Sequence, residues 1–269
     1  MKIEIEEKKL DIIYRQQNLE VAYFLRKGNE KNILCLHGLG CAKEDFRGAT
    51  QFQGLRDYTL LAFDFPGCGS SSYPENMELG MDDLVEITHM LVSQLDIGKC
   101  ILVGHSMGGL VALLYSEKYN RDITAFINVE GNLAGKDCFI SRKMMRYGFS
   151  EFRDAAFPKF VRKMLKSRNI GFKRYGEILQ QYSSPRAFYD YCPSLVLYSD
   201  EGELIQRFLK LKVPKLFIYG SENRSLPYIP GLRKGGCEVV EIPKSNHCPN
   251  YDNPEEFYQV IANFLTSLK

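Results

Sequence analysis

One serine in this chain sits where a hydroxyl can become a nucleophile. Ser106 lies in Gly104-His105-Ser106-Met107-Gly108, between the solid apolar run at 100–103 and a helical stretch at 110–119. Glycine two places before and two places after the serine removes the side chains that would collide where strand and helix approach each other. A serine in such a turn stands clear of the sheet, and the helix N-terminus beneath it favours developing negative charge. A hydroxyl needs a base, and the chain holds four histidines. His89 falls in mid-helix and His105 flanks the serine, whereas His247 lies between a final strand at 237–242 and a closing helix. An imidazole near its ordinary pKa can take the serine proton at neutral pH and return it to a leaving group.

Several elements must position these groups. Up to about residue 28 the apolar residues alternate (Ile3, Ile5, Ile12, Tyr14, Leu19, Val21, Tyr23, Leu25), the period of strands with one exposed face and the pattern of an antiparallel start to a sheet. Short solid apolar runs follow at 33–36, 58–65, 100–103, 123–129 and 215–219, as expected of parallel strands buried on both faces. Helical patterns at 81–95, 110–119 and 254–268 lie between or after them. Strands alternating with helices predict a mostly parallel central sheet with helices on both faces. The alternation stops near Gly131 and resumes near Val213, too long a gap for a loop. We read 131–211 as an inserted helical cap, with 1–130 and 212–269 forming the core. Between Lys136 and Arg174 the cap carries twelve Lys and Arg against three acids, either a solvated face or an attraction for anionic substrates or lipid head groups. Met144, Met145, Phe149, Phe152, Phe157 and Phe160 are either the core of the cap or an acyl-binding surface.

Composition narrows the function. Hydrophobic residues are 45% and charged residues 25%, ordinary globular usage. With 35 Lys and Arg against 33 Asp and Glu, the net charge of +2 gives no nucleic-acid-binding field. The eight cysteines show no metal-ligand spacing and read as reduced thiols. No signal peptide or membrane span is expected, so the expected compartment is the cytoplasm.

Three further segments stand in order around the serine turn: His37-Gly38-Leu39-Gly40 after the strand at 33–36, Asp64-Phe65-Pro66-Gly67-Cys68-Gly69-Ser70 after the next strand, and Ser245-Asn246-His247 before the closing helix. Together these motifs resemble the α/β-hydrolase superfamily, in its serine esterase and monoacylglycerol-lipase-like branch. The resemblance implies the α/β-hydrolase fold and a cofactor-free, metal-free serine hydrolase, with Ser106 as nucleophile and His247 as base. It further implies an oxyanion hole formed by the backbone N–H groups of Leu39 and Met107, and a structural role for His37 and Asp64. The family usually carries its acid three residues after the glycine that ends the following strand, but here Gly220-Ser221-Glu222-Asn223 puts an amide there. Glu130, at the end of the preceding strand, is our preferred acid, because some branches draw it from that strand. Glu222, an Asn223 dyad and an acid elsewhere in the chain are the alternatives. The implied substrate is a small-molecule ester with an apolar acyl group. The same residues could cleave a C–C or amide bond, and Asn223 would equally mark a non-catalytic ligand-binding receptor. The basic cap would permit weak association with an anionic membrane surface.

Overall fold

A computed structural model describes residues 5–201 and 203–268 of the chain. Eight strands form one sheet in the order β1-β2-β4-β3-β5-β6-β7-β8. The first two, β1 (Glu6–Tyr14) and β2 (Gln17–Arg26), make an antiparallel hairpin through Arg15 and Gln16, both at positive φ, and β2 is also antiparallel to β4 (Thr59–Phe63). The remaining pairs, through β3 (Asn32–Leu36), β5 (Cys100–His105), β6 (Ile123–Val129), β7 (Lys215–Gly220) and β8 (Glu238–Ile242), are parallel. Of the expected alternating positions, Ile3 lies outside the described residues.

The solid apolar runs become strands because the sheet is covered on both sides. In β3, Leu34 and Leu36 enter one core cluster while Ile33 and Cys35 enter the other, and in β5 Leu102 opposes Ile101 and Val103 in the same way. Helices α1 (Met81–Gln94) and α2 (Met107–Lys118) bury Leu84, Leu91, Leu110 and Leu113 on the first face. The closing helix Pro254–Ser267 buries Phe257, Ile261 and Leu265 on the second. The start of α2 lies three residues ahead of the sequence expectation. Gly108 and Gly109, weak helix formers, hide that first turn from a reading of propensity.

Between β6 and β7 the described chain is helical, with main helices Phe139–Met144, Phe157–Leu165, Ile170–Tyr182, Pro185–Asp200 and Leu204–Lys210. Phe152, Phe157 and Phe188 pack on one another with ring centroids 5.4–5.8 Å apart, and Met144 is buried with them. Helix Pro185–Asp200 is bound to the segment after β4 and to the start of α1 through Tyr191 Oη to Pro66 O at 2.6 Å, Tyr73 Oη to Asp190 at 2.8 Å, and Met81 N–H to Ser194 Oγ at 3.0 Å. The last helix, Leu204–Lys210, returns to the sheet, where Phe208 meets Phe126 edge-on and Arg207 pairs with Glu117 of α2. Among the described residues, no helix is long and apolar enough to cross a membrane.

Candidate active site

Strand β5 ends at His105 and α2 starts at Met107, so Ser106 is the whole of the turn between them. Its backbone sits at φ 53° and ψ −122°, a region that costs an L-residue about 1–3 kcal/mol and persists only where the surroundings impose it. The surroundings here are backbone. A Cβ on Gly104 would stand 2.5 Å from Gly108 O, and one on Gly108 would stand 2.2 Å from Leu36 O. The serine N–H also donates to Val129 O at 3.1 Å, tying the turn to the end of β6.

That neighbouring strand end supplies a carboxylate. Glu130 follows β6 at φ 43°, and its side chain is 5% exposed. Its Oε1 accepts from Gly220 N–H at 2.8 Å and Asn223 Nδ2 at 2.9 Å, and its Oε2 from Asn223 Nδ2 at 2.8 Å and His247 Nδ1 at 2.8 Å. With Nδ1 donating to Glu130, the imidazole keeps Nε2 for accepting a proton. The side chain of Glu222 instead accepts from Asn246 Nδ2. Asn223 meets the carboxylate rather than the imidazole, donating to both of its oxygens.

The histidine loop is braced from three directions. Asn246 Oδ1 accepts from His247 N–H at 2.7 Å, Asp252 Oδ2 accepts from Asn246 N–H at 2.9 Å, and His105 Nε2 donates to His247 O at 2.8 Å. Burial, reinforced by the neighbouring His247, lowers the pKa of His105 to about 3, so its ring is neutral with the proton on Nε2. The residue before the serine therefore holds the backbone of the candidate base. Among the described residues no hydrogen bond joins Ser106 Oγ to the His247 ring, although both groups wall the same cavity. Such contacts are often open in a free enzyme and tighten with substrate.

A loop after β3 completes the site. Gly38 O accepts from His37 Nδ1 at 2.8 Å and from Cys41 N–H at 3.1 Å. In a trans peptide the N–H points opposite to the C=O, so this grip on the Gly38 carbonyl aims the Leu39 N–H. His37 can donate from Nδ1 because its Nε2 accepts from Phe65 N–H at 3.0 Å, and burial lowers its pKa to about 4, keeping the ring neutral. The loop passes close to Ser106, since a Cβ on Gly38 would lie 3.2 Å from Ser106 Cβ. The N–H groups of Leu39 and Met107 find no acceptor among the described residues. Asp64, buried beneath the loop, accepts from Lys43 Nζ at 2.8 Å and Ser70 N–H at 3.0 Å, which makes it a turn-shaping residue.

The family model described as the alpha/beta hydrolase family matches residues 33–260. The chain belongs to that family. It is 25% identical to a 2-hydroxy-6-oxononadienedioate/2-hydroxy-6-oxononatrienedioate hydrolase of Escherichia coli, covering 88% of this chain and 87% of that one. It is 24% identical to a pimeloyl-(acyl-carrier protein) methyl ester esterase of Aeromonas salmonicida, covering 89% and 97%. Among solved structures, a carboxylesterase of Nitrososphaera gargenis superposes with a TM-score of 0.80 at 17% identity over 96% of this chain and 98% of that one. This last likeness is one of fold.

In this alpha/beta hydrolase, Ser106 and His247 line one narrow cleft. Leu39, Phe139, Ile140, Phe172, Tyr175 and Leu195 supply most of its apolar wall. None of Met144, Met145, Phe149, Phe152, Phe157 and Phe160 lines that wall; Met145 is exposed and the other five pack in the core of the inserted segment, which favours the core reading of those residues. Phe139 stands edge-on to His247 with ring centroids 6.3 Å apart. All eight cysteines are buried free thiols, and burial pushes the Cys41 and Cys248 thiols well above their ordinary pKa, leaving neither as a ready nucleophile. Cys41, Asp45 and His105 offer three donor atoms within 4.8 Å of one another, but Asp45 is engaged by Tyr251 Oη at 2.7 Å and burial raises its pKa to about 6. A carboxyl and a thiol that resist ionisation make a poor cation site.

The sequence reading did not find the contacts of His105 and Asn223 described above, nor that of Tyr175, whose Oη donates to Leu39 O at 2.8 Å. Asn223 left a trace, as an amide where the family places an acid. The other two left none: each looks like an ordinary buried ring until the chain is folded.

Proposed function

We propose that this chain is a serine hydrolase that cleaves a carboxylic ester through an acyl-enzyme. The observation that carries the reading is the Glu130–His247 contact at 2.8 Å, made by a histidine that shares its cavity with Ser106. In this reading Ser106 Oγ attacks the acyl carbonyl while His247 Nε2 takes its proton, and Glu130 holds the imidazole tautomer and stabilises the imidazolium. The N–H groups of Leu39 and Met107 receive the oxyanion, each donor contributing about 10²–10³ in kcat. His247 then protonates the leaving alcohol, and the same ring activates the water that releases the acid. The apolar wall suits an acyl chain, and the relative that is named a methyl ester esterase supports ester cleavage. We assign the 131–211 insertion the role of a cap, with helix Leu204–Lys210 as its return onto the sheet. Its basic outer face suits an ester with an anionic group or an anionic membrane surface.

Turnover of p-nitrophenyl esters of increasing acyl length tests this. The expected result is measurable hydrolysis that Ser106→Ala reduces by about 10⁵-fold or more. Absent turnover, or turnover indifferent to Ser106→Ala, would overturn it. A second reading, C–C bond cleavage by the same residues, is favoured by the E. coli relative, whose named substrate contains keto, hydroxy and carboxylate groups but no ester. Under that reading the esters would turn over poorly while a vinylogous 1,5-diketone acid is cleaved by the wild type and not by Ser106→Ala.

A further inference from the structure

We propose that Tyr175 is a positioning residue for the oxyanion hole, so that the site is complete only while helix Ile170–Tyr182 is seated on the core. The inference rests on the hydrolase reading above and concerns what holds Leu39 in place. Tyr175 Oη donates to Leu39 O at 2.8 Å, from a helix far along the chain in the cap. The peptide before Leu39 is gripped at Gly38 O by His37 and Cys41, and the peptide after it is gripped at Leu39 O by Tyr175. With both flanking peptide planes fixed, the backbone dihedrals of Leu39 are fixed, and with them the direction of its N–H.

The residue that follows gives the loop freedom that this bond removes. Gly40 sits at φ +67°, and a Cβ there would stand 2.6 Å from Leu179 and 2.7 Å from Phe188. The cap thus presses on the loop by contact as well as by hydrogen bond. The Tyr175 hydroxyl is suited to permanent donation, because burial pushes its ionisation well above the ordinary range. The N-terminus of the same helix is fastened to the histidine loop. Asp252 Oδ1 accepts from Gly171 N–H at 2.8 Å and Asn169 Nδ2 at 3.0 Å, while its Oδ2 accepts from Asn246 N–H, beside the base. One helix therefore touches both halves of the site, through different bonds.

The test compares Tyr175→Phe with Tyr189→Phe. Tyr189 Oη donates to Tyr147 O at 2.7 Å inside the cap, so its removal deletes an equivalent hydrogen bond remote from Leu39. Steady-state hydrolysis of p-nitrophenyl butyrate is measured, together with inhibition by a trifluoromethyl ketone of the same chain length, whose serine adduct places an oxyanion in the hole. For Tyr175→Phe, kcat should fall roughly ten- to a hundredfold with KM near wild type, and ketone affinity should fall by the same factor. Tyr189→Phe should leave both unchanged at a matched unfolding midpoint. Equal losses in the two variants, a loss in kcat without one in ketone affinity, or a loss confined to KM, which would put the phenol on the substrate, would each overturn the proposal. Wild-type rates in Tyr175→Phe would overturn the positioning role and leave the hydrolase reading standing. A wild type that neither hydrolyses the ester nor binds the ketone would overturn both.

Discussion

The ends of β6 and β7 lie side by side and divide one task unequally. At the end of β6, Glu130 is buried in a left-handed conformation and carries the carboxylate that contacts His247. At the end of β7, the turn Ser221–Asn223 offers Glu222, which is exposed and bonded to Asn246, and Asn223, which donates into the Glu130 carboxylate. The position of an acid in the chain thus matters less than which oxygen reaches the imidazole. Parallel neighbours bring two strand ends to one place, so either can supply the charge. The end without the charge can serve it by donating hydrogen bonds.

Four substitutions probe the division of labour between the two strand ends. Glu130→Gln should lower kcat/KM by about 10³–10⁴-fold with the fold intact, because an amide cannot stabilise the imidazolium and would set its NH₂ against that of Asn223. A near-wild-type rate would dissolve the distinction between the two ends. Adding Asn223→Asp to Glu130→Gln should recover roughly ten- to a hundredfold of that loss, by moving the carboxylate to the neighbouring strand end. Failure of the double variant to exceed the single one would show that only the β6 position can reach the ring. Asn223→Ala should cost about tenfold, the scale of a buried hydrogen bond to a charged group, read as kcat/KM at constant folded fraction. Glu222→Gln should change the rate by about twofold or less, since exposed polar contacts contribute little.

The fold was legible in the chain because its two periodicities are clear. Solid runs such as 33–36 and 100–103 signal strands covered on both faces; the alternation signals the half-exposed β1, but β2 departs from it, because from Val21 to Arg26 both of its faces are buried, with Phe24 in one core cluster and Leu25 in the other. Ser106 was legible because its turn needs glycines at 104 and 108, and that need follows from sterics within one stretch of chain. His247 could be singled out because the chain has so few histidines. The choice between Glu130 and Glu222 was not decidable from local pattern, since it depends on lateral strand adjacency and on φ at a strand end. Tyr175 was invisible, because its partner Leu39 is brought near only by the fold, and a buried ring at helical spacing reads as core. The same holds for the grip of His105 on the His247 carbonyl.

The most direct measurement is covalent trapping by a fluorophosphonate, with the modified residue located by mass spectrometry. The account predicts one adduct on Ser106 of the folded wild type, lost in His247→Ala and strongly slowed in Glu130→Gln. No adduct on folded wild-type protein, an adduct on another residue, or labelling of Ser106 that is equally fast without His247 would contradict it.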